Sequence, residues 1–235
     1  MSIDAVFFDV GNTLITTAEP EEEIFCEIAS GYGYALNLAA VRQAIPKMYE
    51  YYEQIYDHDC SFWSDDAAAR EVWLQMYARL CDLTGVHEQA TEVATDVYDY
   101  YFSPRAWQPF SDVKPVLEEL QASGFRLGAI SNWDSSLRDV LSGVALSSFF
   151  EEIIVSADVG LYKPKAAIFN LACERLDVSA AQAIHIGDHV TADAEGALGA
   201  GLQAVLIDRR QHHADFTAAC RLTNLGELPA LLKTL

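Results

Sequence analysis

The stretch "AVFFDVGNTL", Ala5 to Leu14, runs four apolar residues straight into a carboxylate at Asp9 and then into Gly-Asn-Thr. A short apolar run without polar alternation has the character of a strand buried on both faces. Such strands make parallel sheets, in which ligands bind beyond the carboxyl ends, so a carboxylate at the exit is a candidate for chemistry. Whether Asp9 stands alone depends on the other strand exits.

From about Pro109 onward, short β-rich runs alternate with helical patterns: "FRLGAIS" (125–131), "EIIVS" (152–156), "AIHIGD" (183–188) and "AVLID" (204–208). Val113, Val116, Leu117 and Leu120 recur at helical spacing with Gly124 as a stop signal, and Leu137, Val140, Leu141 and Val144 repeat the spacing after Asp134, the expected N-cap. Strand then helix, repeated, predicts an α/β fold with a doubly wound parallel sheet covered on both faces.

Residues 16–108 have a different texture, with helical patterns and few strand signals. Ten of the eleven tyrosines and three of the four tryptophans lie there, which marks the segment as a unit with its own core. The expected organisation is an α/β core of residues 1–15 and 109–235 with an all-helical insert of residues 16–108. The hinge crossings are read at "TTAEPEEE" (16–23) and "SPRAWQPF" (103–110).

A chain of 235 residues can bury a sizeable core without staples. Its five cysteines are odd in number and scattered, which points to reduced, mostly buried thiols rather than a disulfide framework or a zinc knuckle. The N-terminus lacks a basic n-region and nowhere do eighteen apolar residues run together, so a soluble, cytoplasmic protein is expected. Thirty-five acids against fifteen Lys and Arg give a net charge of -20. That charge argues against nucleic acid and against an anionic membrane surface as partners, while a small anion can still bind locally. The expected assembly is a monomer or a weak homodimer.

The strand exits form a coherent set. The first ends at Asp9, the next at Ser131 and Asn132, the third leads through "SADVGLYKP" to Lys163, and "AIHIGD" ends at Asp188 with Asp193 five residues on. Three carboxylates gathered at one rim repel one another unless a cation sits among them. Hard oxygen ligands of this kind suit Mg2+, which shares its shell between one or two carboxylates, water and a phosphate.

In this order the motifs resemble those of the haloacid dehalogenase-like (HAD) hydrolases, whose fold is a Rossmann-like core with a cap. "FFDVGNTL" is similar to the family's nucleophile motif, "GAISN" to its second, "LYKP" to its third and "IGDHVTAD" to its acidic fourth. Each alone is a weak signal, and the four in order are a strong one. The resemblance implies that Asp9 attacks phosphorus to form an aspartyl phosphate, that Ser131 and Asn132 hold phosphoryl oxygens, and that Lys163 neutralises nucleophile and phosphate. It implies Mg2+ held by Asp9, the Gly11 carbonyl, Asp188 and Asp193, and a C1-type cap that closes over a small phosphorylated substrate.

Gly11 departs from the family's pattern. Phosphatases of the family usually carry a second aspartate there, whose side chain protonates the leaving group and later activates water. General acid-base help of that kind is typically worth roughly a hundred to ten thousand fold. A smaller departure is Lys165, where relatives commonly show an aspartate. Two alternatives stay open: a 2-haloacid dehalogenase, in which Asp9 displaces halide at carbon, and a non-catalytic module that keeps the phosphate and metal pocket. A phosphonatase would need a lysine from the insert, which offers only Lys47.

Simpler readings stand beside these. Asp9 can cap a turn, Lys163 can be a solvated loop lysine, and Asp193 can be an acid in the first turn of a helix. His185 reads as a packed strand histidine and His189 as a rim residue. The run "MYEYYEQIY" (48–56) reads as bundle core and interface rather than substrate wall.

Overall fold

In a computed structural model describing residues 3–235, strand β1 (Ala5–Phe8) forms where the opening run predicts it, with all four residues buried. β2 (Ile15–Thr17) follows. Four helices come next: α1 (Glu21–Gly31), α2 (Leu38–His58), α3 (Asp66–Thr84) and α4 (Ala90–Tyr101). The chain returns through β3 (Trp107–Pro109), then α5 (Val113–Ala122), β4 (Arg126–Ser131), α6 (Leu137–Gly143), β5 (Glu152–Val155), α7 (Ser156–Val159) and α8 (Ala166–Arg175). It ends in β6 (Ala183–Gly187), α9 (Gly196–Gly199), β7 (Gln203–Ile207), β8 (Cys220–Leu222) and α10 (Leu228–Leu232).

Six strands form one sheet in the order β5-β4-β1-β6-β7-β8, every neighbouring pair parallel. The chain winds outward from β1 to β4 and β5, then crosses to the other side of β1 at β6. The exit of β1 therefore sits at a topological switch point, where adjacent connections leave to opposite faces and open a crevice.

Alternation along β1 divides the core. Val6 and Phe8 join the cluster under α5, α6 and α10, while Ala5 and Phe7 join the one under α8. Both faces are covered, as a parallel sheet requires. α5 stops as predicted: Gly124 has φ +87°, a left-handed conformation that glycine adopts without steric cost.

α6 corrects one expectation. It starts at Leu137 with Ser136 in the capping position, not Asp134. The Asp134 carboxylate lies earlier, accepting the Ser136 backbone N–H at 2.9 Å while its other oxygen accepts the Tyr98 hydroxyl at 2.7 Å.

α1–α4 enclose their own apolar cluster, with Phe25, Met48, Met76 and Leu80 among its most buried members. Asn37 and Asp65 cap α2 and α3 by accepting backbone N–H groups three residues on. β2 and β3 pair antiparallel, Thr16 opposite Gln108. This two-stranded stem straddles both positions at which the sequence reading divides core from insert. The five cysteines are unpaired; Cys81 and Cys173 are buried, Cys26 and Cys60 half-buried and Cys220 exposed, so burial holds for two of the five rather than for most. No helix among the described residues is long and apolar enough to cross a membrane.

Candidate active site

The backbone N–H of Asp9 donates to the Ile186 carbonyl at 2.8 Å, so the β1–β6 ladder continues into the site and fixes the aspartate. The Asp9 side chain is buried. Its Oδ1 accepts from Lys163 Nζ at 2.6 Å and from Ser131 Oγ at 3.2 Å. The same ammonium donates to Asp193 Oδ1 at 2.6 Å. Lys163 is 2% exposed, which makes it a structured ion-pair partner rather than a solvated loop lysine.

Asn132 reaches the site through its effect on Lys163. Its Nδ2 donates to the Lys163 carbonyl at 2.9 Å and its Oδ1 accepts the Lys163 N–H at 2.8 Å. The amide thus clamps the loop that delivers the ammonium.

Asp193 sits on a wide helical turn, Val190–Glu195, and takes three donors. Lys163 and His185 Nε2 share Oδ1, the latter at 2.9 Å, and the His189 N–H reaches Oδ2 at 3.0 Å. The close approach depends on Gly187, because a Cβ there would lie 2.2 Å from Asp193 Cγ. His185 is packed in its strand, as read, and is also hydrogen-bonded to the site. Asp188, half-buried, accepts from Thr13 Oγ1 at 3.3 Å.

Electrostatics follow from this crowding. Oxygen atoms of Asp9, Asp188 and Asp193 all lie within 4.8 Å of one another, with Lys163 as the ammonium among them. Burial raises the pKa of Asp9, aided by Asp193 and opposed by Lys163. Burial also drives Asp188 well above the ordinary carboxylate value, with Asp9 and Asp193 adding to the shift. For Asp193 burial is outweighed by Lys163 and His185, which hold it low. Lys163 is raised: its burial works against the charge, but Asp193 and Asp9 more than compensate. Burial keeps His185 below its usual value despite Asp193. A centre with three carboxylates and one ammonium is short of positive charge, and its all-oxygen donor set fits a hard divalent cation.

A cavity of about 440 Å³ opens over this centre and extends into the insert. Met48, Tyr49, Tyr52, Glu53 and Tyr56 line it from one face of α2, so the tyrosine run is a chamber wall as well as bundle core. Tyr56 also packs on His189 at 5.3 Å between ring centroids, joining insert to core. Trp133 lies beside Gly11: a Cβ at Gly11 would be 3.2 Å from Trp133 Cζ3. Sequence reasoning missed Trp133 and Thr13. Thr13 sits inside a quoted motif and Trp133 directly after one, yet nothing in one dimension shows which way their side chains turn.

Fold and site together define an α/β protein built around an acidic, lysine-bridged centre at the switch point of its sheet. The chain belongs to the haloacid dehalogenase-like hydrolases, whose family model matches residues 3–201. It is 30% identical over 234 residues to the haloacid dehalogenase-like hydrolase domain-containing protein 3 of Danio rerio, with 97% of this chain and 96% of that one covered. It is 28% identical over 222 residues to the glyceraldehyde 3-phosphate phosphatase of Methanopyrus kandleri, covering 89% and 86%. Among solved structures, the 2-haloacid dehalogenase of Pseudomonas syringae pv. Tomato DC3000 aligns at 27% identity and TM-score 0.64 over 99% of both chains.

Proposed function

We propose that the protein is a Mg2+-dependent phosphohydrolase of a small phosphorylated metabolite, working through an aspartyl phosphate on Asp9. The observation that carries this reading is the 2.6 Å bridge from Lys163 Nζ to both Asp9 and Asp193, inside a triad of carboxylates. The phosphatase relative from Methanopyrus kandleri supports it.

Lys163 and Ser131 both hold Oδ1 of Asp9, which leaves Oδ2 to attack phosphorus. The ammonium lowers the repulsion between this carboxylate and an anionic phosphoryl group. Ser131 Oγ donates to a phosphoryl oxygen once substrate displaces its bond to Asp9. Asn132 clamps the Lys163 loop and has a second Nδ2 hydrogen for the phosphoryl group. Asp9, Asp188 and the Gly11 carbonyl would hold Mg2+, with Asp193 at the ion or behind it through Lys163. When bound, the ion supplies positive charge shared between phosphoryl oxygens and the carboxylates. Residues 16–108 act in this reading as a C1-type cap on a core of residues 1–15 and 109–235.

The dehalogenase reading has the Pseudomonas syringae relative in its favour and does not require an acid at Gly11. Displacement at carbon has no use for a three-carboxylate centre, and the phosphohydrolase accounts for all three. The test is Mg2+-dependent phosphate release measured beside halide release from 2-chloropropionate, with Asp9→Asn as the blank. Phosphate release lost in that variant supports the reading; halide release alone overturns it.

A further inference from the structure

The chamber and the missing acid constrain the substrate in the same direction. One wall is a ladder of flat rings. Tyr52 stacks on Trp73 at 5.6 Å and 23°, and Trp73 stacks on Tyr77 at 5.8 Å and 28°, all three lining the cavity. Rings held against one another in this way present a rigid apolar surface, against which a flat ring packs edge to face or offset.

Charge narrows the class. Away from the triad, Glu21, Glu53 and the exposed Arg210 are the ionisable carboxylate and guanidinium groups of the lining. Glu21 already accepts the Tyr49 hydroxyl at 2.8 Å. Beyond the triad the two carboxylates outnumber the single arginine at the edge, so the chamber wall carries no surplus of positive charge and favours a substrate whose organic part is uncharged.

Gly11 supplies the third constraint. It brings no side chain to protonate a departing oxygen, and the Trp133 ring fills the adjoining space, 3.2 Å from where a Cβ would stand. Trp133 is itself fixed by an edge-on contact with Trp107 at 5.1 Å and by its Nε1–H donating to Ser136 Oγ at 3.3 Å. With no acid supplied from position 11, a leaving group that departs as a stabilised oxyanion is favoured over one that must be protonated as it leaves.

We infer that the substrate is an aryl phosphate monoester with an uncharged ring, the phosphoryl group seated at Asp9 and Lys163 and the ring against the Tyr52–Trp73–Tyr77 wall. This rests on the phosphohydrolase reading. Asp9 Oδ2 bonds to phosphorus as the bond from phosphorus to the aryl oxygen breaks. The electron pair leaves with the aryloxide, which takes a proton from water after departure. Water then attacks phosphorus, giving inorganic phosphate, a proton to solvent and the restored carboxylate.

The experiment compares kcat/KM, which reports phosphoryl transfer to Asp9, for 4-nitrophenyl, benzyl and hexyl phosphate with Mg2+. The Asp9→Asn rate is subtracted throughout. The expected order is 4-nitrophenyl over benzyl by about a hundredfold or more, the share a general acid would otherwise supply. Benzyl should exceed hexyl by roughly fivefold through KM, the worth of one stacking contact. Trp73→Leu should erase the second ratio and leave the first intact. Ratios near one, or hexyl equal to 4-nitrophenyl, with release still dependent on Asp9, overturn the aryl assignment alone. No Asp9-dependent phosphate from any of the three overturns the phosphohydrolase reading and the assignment with it.

Discussion

Lys163 Nζ stands 2.6 Å from Asp9 Oδ1 and 2.6 Å from Asp193 Oδ1, with the lysine side chain only 2% exposed. A buried ammonium shared between two carboxylates is costly to dismantle, because removing it leaves like charges facing each other without water. Lys163→Met should therefore lose about 3–5 kcal/mol in urea unfolding without added metal. Phosphate release should fall roughly a hundredfold or more. Unchanged stability and turnover would mean that the bridge is incidental.

The raised carboxylates give the metal-free protein a definite pH response. Asp9 and Asp188 bind protons more tightly folded than unfolded. Between the ordinary carboxylate pKa and the raised one the folded state holds more protons, so stability falls as pH rises through that window. Asp193 has the opposite sign: held low, it contributes above its unfolded pKa and loses that contribution as pH falls toward its folded value. A divalent cation relieves the first effect, so the gain in Tm from Mg2+ over EDTA should grow as pH rises above the ordinary carboxylate pKa through the raised ones. A gain that is flat or shrinks as pH rises would contradict the proposed cation site.

Gly11→Asp tests the missing acid. The added Cβ meets Trp133 Cζ3 at 3.2 Å, so the ring must yield by a few tenths of an ångström. If it does, kcat/KM for benzyl phosphate should rise more than for 4-nitrophenyl phosphate, by roughly tenfold or more. Equal loss on both substrates would show that the Trp133 ring does not give way.

Insert and core are tied by hydrogen bonds at the loop that follows Ser131 and Asn132. Tyr98 donates to Asp134 at 2.7 Å, and Asp66 accepts the Ser135 N–H at 2.9 Å and its hydroxyl at 2.8 Å. Tyr98→Phe removes one tie and leaves a buried carboxylate oxygen short of a donor, costing about 1–3 kcal/mol. The expected kinetic result is a higher KM with a smaller change in kcat, read from steady-state phosphate release. A fall in kcat alone would place the effect in chemistry rather than in closure.

Much of the core was legible because buried parallel strands write themselves as apolar runs that end abruptly in polar residues. Asp9, Ser131 and Asp188 stand at such ends. β2 and β3, three residues each, are too short to leave a pattern, and "TTAEPEEE" and "SPRAWQPF" look like loops for that reason. Tyr49, Tyr52 and Tyr56 follow a helical face whether that face meets a core or a cavity, so the spacing could not tell wall from packing. Asp134 has the residue type of an N-cap, but its carboxylate is drawn toward Tyr98, a partner 36 residues away that leaves no local signature. Trp133 beside Gly11, and His185 behind Asp193, are tertiary facts with no local signature.

The most direct test of the account is trapping of the intermediate. Mg2+-loaded enzyme mixed with excess 4-nitrophenyl phosphate, quenched in acid within the first turnover and digested, should yield the peptide containing Asp9 with one phosphoryl group attached, and Asp9→Asn should yield none. A nitrophenol burst without that adduct, or an adduct on any other residue, would contradict Asp9 as the nucleophile.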